Sequence, residues 1–251
     1  MTPLKILLIQ IRSDQSLLPA ERKEFVHFSC LTEEQITTLD VFRTPDFQPG
    51  IIDGYDALMM GGLSDDSSDE VELPDIFHPF IENLNGLMLR AIDRKIPSLL
   101  SCGGFMLGSM LLGAKVVIDP EQSEVGIYEI ALTESGRMDP LFEGFPPHFN
   151  AVSGHHKSTV DLPSNCVRLA YSERCDIHGF RVKDTPFYAF QFHPEITCAN
   201  LQARIEAYKE KYFDTEEDYQ AFIHMTHSTA TANSIISRFV HLVEKHVQSV
   251  S

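Results

Sequence analysis

One cysteine of this chain stands in a context that suits a nucleophile. Cys102 ends a short apolar run, Ile96 to Ser101, and is followed by Gly103 and Gly104. This pattern predicts a strand that turns sharply into a helix, because a sharp turn favours residues without a Cβ atom. The turn would place the sulfur at a helix N-terminus, where free amides and the helix dipole favour a thiolate. The alternative is an inert free cysteine in a core.

A histidine and a glutamate form the second group. His193, Pro194 and Glu195 follow another apolar run. On an extended backbone, residues two apart project to the same side, and proline stiffens that arrangement. A nucleophile, a base and an acid that orients the base are the parts of an acyl-transfer site. His193 would take the thiol proton and later donate it to the leaving amine, and Glu195 would orient the ring.

The segments that must position these residues alternate between strand and helix. Such alternation indicates an α/β fold with a doubly wound, mostly parallel sheet and flanking helices. Ligands of such folds bind at the carboxyl ends of strands, where Gly61, Gly62 and Cys102 fall. Strands are predicted at Lys5–Ile11, Ile36–Phe42, Asp56–Met60 and Pro97–Ser101. A helix is predicted at Leu73–Arg94, interrupted near Pro79 and Gly86.

The pattern of predicted elements changes in the second half of the chain. Short strands, interpreted as antiparallel additions and final core strands, are predicted at Ile127–Thr133, Phe149–Ser153, Val167–Tyr171, Gly179–Val182 and Phe187–Phe192. Helices are predicted at Leu201–Phe213, Glu216–Met225 and Ala232–Val247. The apolar stripe of the last helix indicates a core-facing helix rather than a partner-binding one. We therefore expect one domain over residues 1–199 and a helical extension over 200–251 packed on it.

Composition narrows the class of protein. The 251 residues are 43% apolar and 22% charged, with 20 Lys+Arg against 36 Asp+Glu, a net charge of −16. Such a charge repels nucleic acid and anionic membranes, so neither is an expected partner. Five cysteines without a Cys-x-x-Cys motif argue for a reducing compartment, and a cytoplasmic location is expected. Ile96 to Ile118 carries one charge, but its proline and glycines favour a buried strand and helix over a membrane span.

The two motifs together resemble those of the class I glutamine amidotransferases, a Cys-His-Glu family that releases ammonia from glutamine. Phe192 to Glu195 matches the family's triad motif, and Cys102 to Gly104 matches its nucleophile elbow in part. The similarity runs from about Lys5 to about Glu195. It implies a flavodoxin-like domain, and a thioester on Cys102 formed with the help of His193 and Glu195.

The resemblance also indicates where substrate would bind. Met60 to Ser64 looks like the family's glycine turn, so the amide of Gly62 is a candidate oxyanion donor, with that of Gly103 beside the nucleophile. One well-placed donor is worth roughly 3–4 kcal/mol. Val152 to Val160 is similar to the family's His-x-Asp-x-Val substrate loop, and Glu124 to Gly126 resembles another family element. The implied substrate-binding residues are Gly61, Met106, Ser153, His155 and His156.

The chain departs from the family pattern at several of these positions. Leu63, Leu100 and Ser158 stand where proline, glycine and aspartate are usual, and Met106 replaces a glutamine that holds the amino-acid end of the substrate. Methionine cannot donate those hydrogen bonds. Free glutamine is therefore expected to bind poorly, or the pocket to accept a different γ-glutamyl compound.

Several functions stay open at this point. As an enzyme, the chain would pass ammonia to a partner synthetase, or act alone as a γ-glutamyl peptidase or amidase. The rival is a non-catalytic binding or regulatory protein, which the departures from the pattern favour and the intact Cys-His-Glu set opposes. The adjacent His155 and His156 could suggest a metal, but no carboxylate or cysteine sits at ligand spacing in the sequence. No metal and no cofactor are expected.

Overall fold

The strands form one large sheet and one small sheet. The computed structural model describes residues 3–64, 71–206, 215–223 and 227–250. The large sheet consists of β1 (Ile6–Gln10), β2 (Ile36–Asp40), β3 (Ala57–Met60), β4 (Ser98–Ser101), β6 (Glu124–Leu132), β7 (His148–His155), β9 (Cys166–Tyr171), β10 (Gly179–Val182) and β11 (Phe187–Phe190). The small sheet pairs β5 (Lys115–Ile118) with β8 (Lys157–Asp161).

The large sheet is parallel on one side and antiparallel on the other. Its strand order is β2-β1-β3-β4-β11-β10-β9-β6-β7, and the first five strands run parallel. Every residue of β1, β3, β4 and β11 is buried, as a parallel sheet covered on both faces requires. The predicted α/β class and mostly parallel sheet are confirmed, and β6, β7, β9 and β10 are the antiparallel additions.

Helices pack against the sheet, and two of them lie close to the bounds predicted at Leu73–Arg94 and Ala232–Val247. The helices are α1 (Leu18–Ser29), α2 (His78–Asp93), α3 (Gly103–Leu111), α4 (Glu134–Arg137), α5 (Cys198–Glu206), α6 (Glu216–Ile223) and α7 (Ala230–Val250). The interruption predicted at Gly86 is wrong, because α2 runs through it. A helical glycine costs about 1 kcal/mol, and the buried neighbours Leu84, Leu87 and Met88 offset that cost.

Two apolar clusters fill the space on the two faces of the sheet. Ile6 and Leu8 of β1 belong to one cluster, and Leu7 and Ile9 to the other, since alternate residues of a strand point to opposite faces. Helix α7 supplies its apolar stripe to the first cluster, and α2 packs in the second. The last helix therefore faces the core of the sheet, as its spacing predicted.

Other predicted features differ from the structure or fall outside it. Strand β8 was not predicted, because Lys157 to Asp161 is short and mostly polar and depends on pairing with β5. The predicted helices Leu201–Phe213 and Glu216–Met225 extend into residues 207–214 and 224–226, which lie outside the described residues. The domain boundary at residue 199 stays a prediction. No described helix is long and apolar enough to cross a membrane, and Ile96 to Ile118 instead forms β4, α3 and β5.

The burial of α7 predicts that the last helix unfolds with the sheet. Phe239 is fully buried in the first cluster, so Phe239→Ala should lower the free energy of unfolding by about 3–5 kcal/mol. Lys245→Ala, on the exposed side of the same helix, is the control and should change it by less than about 0.5 kcal/mol. Denaturant unfolding followed by circular dichroism measures both. A separate early transition with an unchanged main transition would contradict the packing.

Candidate active site

Three neighbouring parallel strands carry the candidate residues to one edge of the sheet. Strand β4 pairs with β3 on one side and with β11 on the other, all in the same direction. Gly61 and Gly62 follow β3, Cys102 follows β4, and His193 lies three residues after β11. Because the carboxyl ends of parallel strands meet at one edge, residues far apart in the sequence become neighbours.

Cys102 occupies a strained turn between β4 and α3. Its φ is 47° and its ψ is −101°, a conformation that residues with a Cβ rarely adopt and that costs on the order of 1–3 kcal/mol. The turn is held because the Cys102 N–H donates to the Phe190 carbonyl at 2.8 Å, and its carbonyl accepts from the Met106 N–H at 3.0 Å. The half-buried sulfur lies 3.6 Å from the Gly154 carbonyl oxygen. This is the sharp strand-to-helix turn that the glycines predicted.

His193 and Glu195 form a buried pair. His193 Nδ1 lies 2.7 Å from Glu195 Oε1, and the His193 N–H donates to the Val152 carbonyl at 2.8 Å, which anchors the pair to β7. The extended backbone predicted for them is wrong, since β11 ends at Phe190 and residues 194 and 195 form a turn. The turn nevertheless brings the ring and the carboxylate together.

Charge interactions join the pair to Cys102. Burial by itself would lower the pKa of His193, but the negative charge of Cys102, then that of Glu195, and hydrogen bonds to both raise it to about 10. Burial would likewise raise the pKa of Glu195, but the charge and hydrogen bond of His193 hold it below its usual value. The arrangement favours a protonated His193 imidazolium beside an ionised Glu195 carboxylate.

Arg12 supports the site and was not predicted. Its guanidinium is buried, with Nε 2.6 Å from Glu21 Oε1, and Nη1 donates to the Leu63 carbonyl at 2.9 Å. Its positive charge also interacts with Glu195 and Cys102. Arg12 therefore holds the glycine turn and offsets the negative charges of the site. A charged residue directly after the apolar run of β1 was the available signal in the sequence.

The glycine turn after β3 packs directly on the nucleophile turn. A Cβ on Gly103 would overlap the Leu63 nitrogen, and one on Gly62 would lie 2.7 Å from Arg12 Nη2 and 3.0 Å from His193 Cε1. Neither position has room for a side chain. The Gly104 N–H donates to the Gly61 carbonyl at 3.1 Å, which joins the turns. Within the described part of the chain, no hydrogen bond engages the N–H of Gly62 or Gly103.

Strand β7 lines the site through its backbone. The Val152 carbonyl binds the His193 amide and the Gly154 carbonyl faces the Cys102 sulfur. Ser153 lies between them and is fully buried. His155 is also buried, but its ring packs 5.5 Å from that of His178, away from solvent. His156 is exposed, with Nδ1 2.9 Å from Ser123 Oγ.

The remaining predicted substrate residues, Met106 and Gly61, are buried near the turn that carries Cys102. Met106 is one turn along α3, 7% exposed, and belongs to the apolar cluster that contains α2. Gly61 is buried against the Glu21 carboxylate, which a Cβ at this position would overlap. The structure thus brings Cys102, His193 and Glu195 together with the two glycine turns. Roles in substrate binding stay predictions.

Comparison with known proteins agrees with this geometry. The family model described as glutamine amidotransferase class-I matches residues 38–209, more than half of the chain, and the chain belongs to this family. A curated relative, a glutamine-hydrolyzing GMP synthase subunit from Methanococcus aeolicus, is 30% identical over 127 residues. That match spans 51% of this chain and 65% of the relative's length.

Solved structures share the fold over almost the whole chain. A putative GMP synthase subunit from Thermoplasma acidophilum superposes with a TM-score of 0.69, 19% identity and coverage of 99% of this chain and 98% of that one. A glutamine amidotransferase from Thermotoga maritima gives a TM-score of 0.68, 20% identity and coverage of 96% and 99%. At these identities the structures establish the flavodoxin-like fold of the family.

The positive φ of Cys102 leads to a prediction about the free energy of unfolding. Cys102→Gly should be more stable than Cys102→Ala by about 1 kcal/mol, because glycine adopts a positive φ without a steric penalty. Both variants lack the sulfur, so the difference reports backbone strain. Ala91→Gly inside α2 is the control and should lose about 1 kcal/mol. Denaturant titration measures the free energy of unfolding of each variant. If Cys102→Gly were no more stable than Cys102→Ala, the turn would be unstrained.

The charge interactions generate a second prediction. His193 should titrate near pH 10, well above the usual value of about 6.5, and Cys102→Ala should lower its pKa because the largest favourable charge is then absent. Proton NMR of the imidazole measures the titration, and the missing resonance of His193→Gln assigns it. An identical titration with and without the thiol would contradict the coupling.

Proposed function

We propose that this chain hydrolyses a γ-glutamyl amide through a thioester on Cys102, with His193 and Glu195 completing the triad. One observation carries the proposal: an imidazole whose pKa is raised by Cys102 and Glu195 and which lies 2.7 Å from a buried carboxylate, beside a cysteine at a strained turn. Family membership supports glutamine amide chemistry.

In the first half-reaction the Cys102 thiolate attacks the amide carbonyl carbon. The carbonyl electrons move to oxygen, and the N–H groups of Gly62 and Gly103 donate to the resulting oxyanion. Their backbones pack against each other beside the nucleophile, which supports this role. His193 then gives its proton to the nitrogen as the C–N bond breaks, and ammonia or an amine leaves. A γ-glutamyl thioester remains on the sulfur.

In the second half-reaction water replaces the amine. Neutral His193 takes a proton from water as the oxygen attacks the thioester carbon, and the C–S bond breaks to return the thiolate. Glu195 holds Nδ1 throughout, so the other ring nitrogen faces the reacting groups. The products are the free γ-carboxylic acid, which loses its remaining proton to solvent, and the starting ion pair.

One side chain, Met106, bears on which class of γ-glutamyl compound is the substrate. Met106 stands where a glutamine is usual and is almost fully buried, so it offers no amide to the amino-acid end of a substrate. This supports a γ-glutamyl peptide or amide as substrate, handled by the chain acting alone. The name of the Methanococcus relative, a glutamine-hydrolyzing synthase subunit, supports the version with free glutamine and a synthetase partner.

We also propose a cytoplasmic location and small-molecule substrates rather than nucleic acid or membrane partners. All five cysteines are free thiols, which fits a reducing compartment. The net charge of −16 opposes binding to polyanions.

A turnover assay tests the proposal. The purified chain should release product from glutamine or γ-glutamyl peptides, and Cys102→Ala should lower kcat at least about 1000-fold without unfolding the protein. Glu195→Gln should cost less than Cys102→Ala, because the nucleophile and base remain. Mass spectrometry after treatment with a diazo-norleucine electrophile should find the adduct on Cys102.

The controls separate the alternatives. Cys166→Ala removes a half-buried thiol outside the site and should leave kcat unchanged. Activity on γ-glutamyl peptides alone supports the stand-alone version, and ammonia release from glutamine only after a synthetase is added supports the partner version. A folded chain with no turnover and no adduct would indicate the non-catalytic binding protein.

A further inference from the structure

We propose that His155, Cys175 and His178, with Glu124, form a binding site for a zinc-class divalent cation. One nitrogen of each imidazole and the Cys175 sulfur lie within 4.8 Å of one another, and all three residues are buried. His155 ends β7, whereas Cys175 and His178 come from the segment between β9 and β10. The site lies outside the Cys-His-Glu group and does not depend on the proposed function.

The hydrogen bonds of the two rings leave one lone pair on each. His155 Nδ1 lies 3.1 Å from the Lys157 carbonyl oxygen, which only accepts, so Nδ1 carries the hydrogen and Nε2 the lone pair. His178 Nε2 lies 2.7 Å from Glu124 Oε2, so in the same way Nδ1 carries its lone pair. Both lone-pair nitrogens are buried and have no hydrogen-bond partner within the described residues.

A buried polar atom without a hydrogen-bond partner needs a physical explanation, and a bound ion is one of them. The outer hydrogen bonds have the form that orients metal-binding histidines, one to a backbone carbonyl and one to a carboxylate. The Cys175 sulfur makes a weak contact with the Ile177 carbonyl oxygen, at 3.8 Å. Each of the three residues therefore has a ligand atom that is weakly engaged or without a hydrogen-bond partner within the described residues.

Ligand type and charge favour zinc over harder cations. Imidazole and thiolate are ligands of Zn²⁺, whereas Mg²⁺ and Ca²⁺ prefer oxygen. Glu124 Oε2 lies 3.6 Å from His155 Nε2 and is also buried, so it is near enough to be a fourth ligand or to remain an outer partner. A Cys175 thiolate and the Glu124 carboxylate would together neutralise the double charge of the ion, which offsets the cost of burying it.

The distances require only a small adjustment. Ligand atoms on a zinc tetrahedron with bonds of about 2.0–2.3 Å are about 3.5 Å apart. The cluster, at 4.8 Å or less, would contract by about 1 Å. Such a closed site would be structural and would tie the end of β7 to the segment before β10. It would thus hold the strand whose Gly154 carbonyl faces Cys102.

Cobalt spectroscopy tests the site without using activity. In Cys102→Ala protein, where the candidate nucleophile cannot bind metal, one equivalent of Co²⁺ should give a thiolate-to-cobalt charge-transfer band and intense tetrahedral d–d bands. Zn²⁺ should displace the cobalt. At a hundredfold excess over Kd, Zn²⁺ should raise the Tm by about 5–10 °C.

Matched variants assign the sulfur ligand. In the Cys102→Ala background, Cys175→Ser should abolish the charge-transfer band, and Cys166→Ser should retain it. A folded Cys102→Ala protein with no thiolate–cobalt band and no Tm shift would overturn the proposal, leaving a hydrogen-bonded network. A band that survives Cys175→Ser would overturn it as well. If Cys175→Ser fails to fold, the spectrum and Tm shift of the Cys102→Ala protein alone decide.

Discussion

The conformation of this site depends on one direct backbone contact, between the turns that follow β3 and β4. Because β3 and β4 are hydrogen-bonded neighbours, the two backbone segments that follow them begin only about 4.8 Å apart. Two main chains can stay that close only without side chains between them, and neither Gly103 nor Gly62 has room for a Cβ. The positive φ of Cys102 follows from the same crowding, since the chain must enter α3 while the sulfur leaves the sheet.

Several buried charged side chains lie beside this backbone contact and interact with one another. Glu21 binds Arg12, whose charge interacts with Glu195 and Cys102, and both of these flank His193. A buried charge is costly when alone, so each member depends on the next one. The same dependence explains why the pKa of His193 is raised despite full burial.

Strand β7 links this site to the rest of the antiparallel half. The backbone carbonyls of Val152 and Gly154 face His193 and Cys102, while the His155 side chain points into the buried cluster with His178 and Glu124. The proposed cation would therefore act on the candidate active site only through the position of this strand. Of the two adjacent histidines, His155 ends β7 and faces the interior, whereas His156 lies in the bend after the strand and is exposed.

The sequence alone predicted the buried parallel strands, the sharp turn at Cys102 and the grouping of Cys102 with His193 and Glu195. Continuous apolar runs mark buried parallel strands, and the Gly-Gly after Cys102 marks a sharp turn, because both are local properties of the chain. Tertiary structure alone decided which distant residues meet. Arg12 joins the site across 51 positions through the Leu63 carbonyl, and Glu124 meets His178 across 54. Strand β8 exists only because β5 pairs with it. Such contacts depend on the order and register of strands, which local periodicity does not encode.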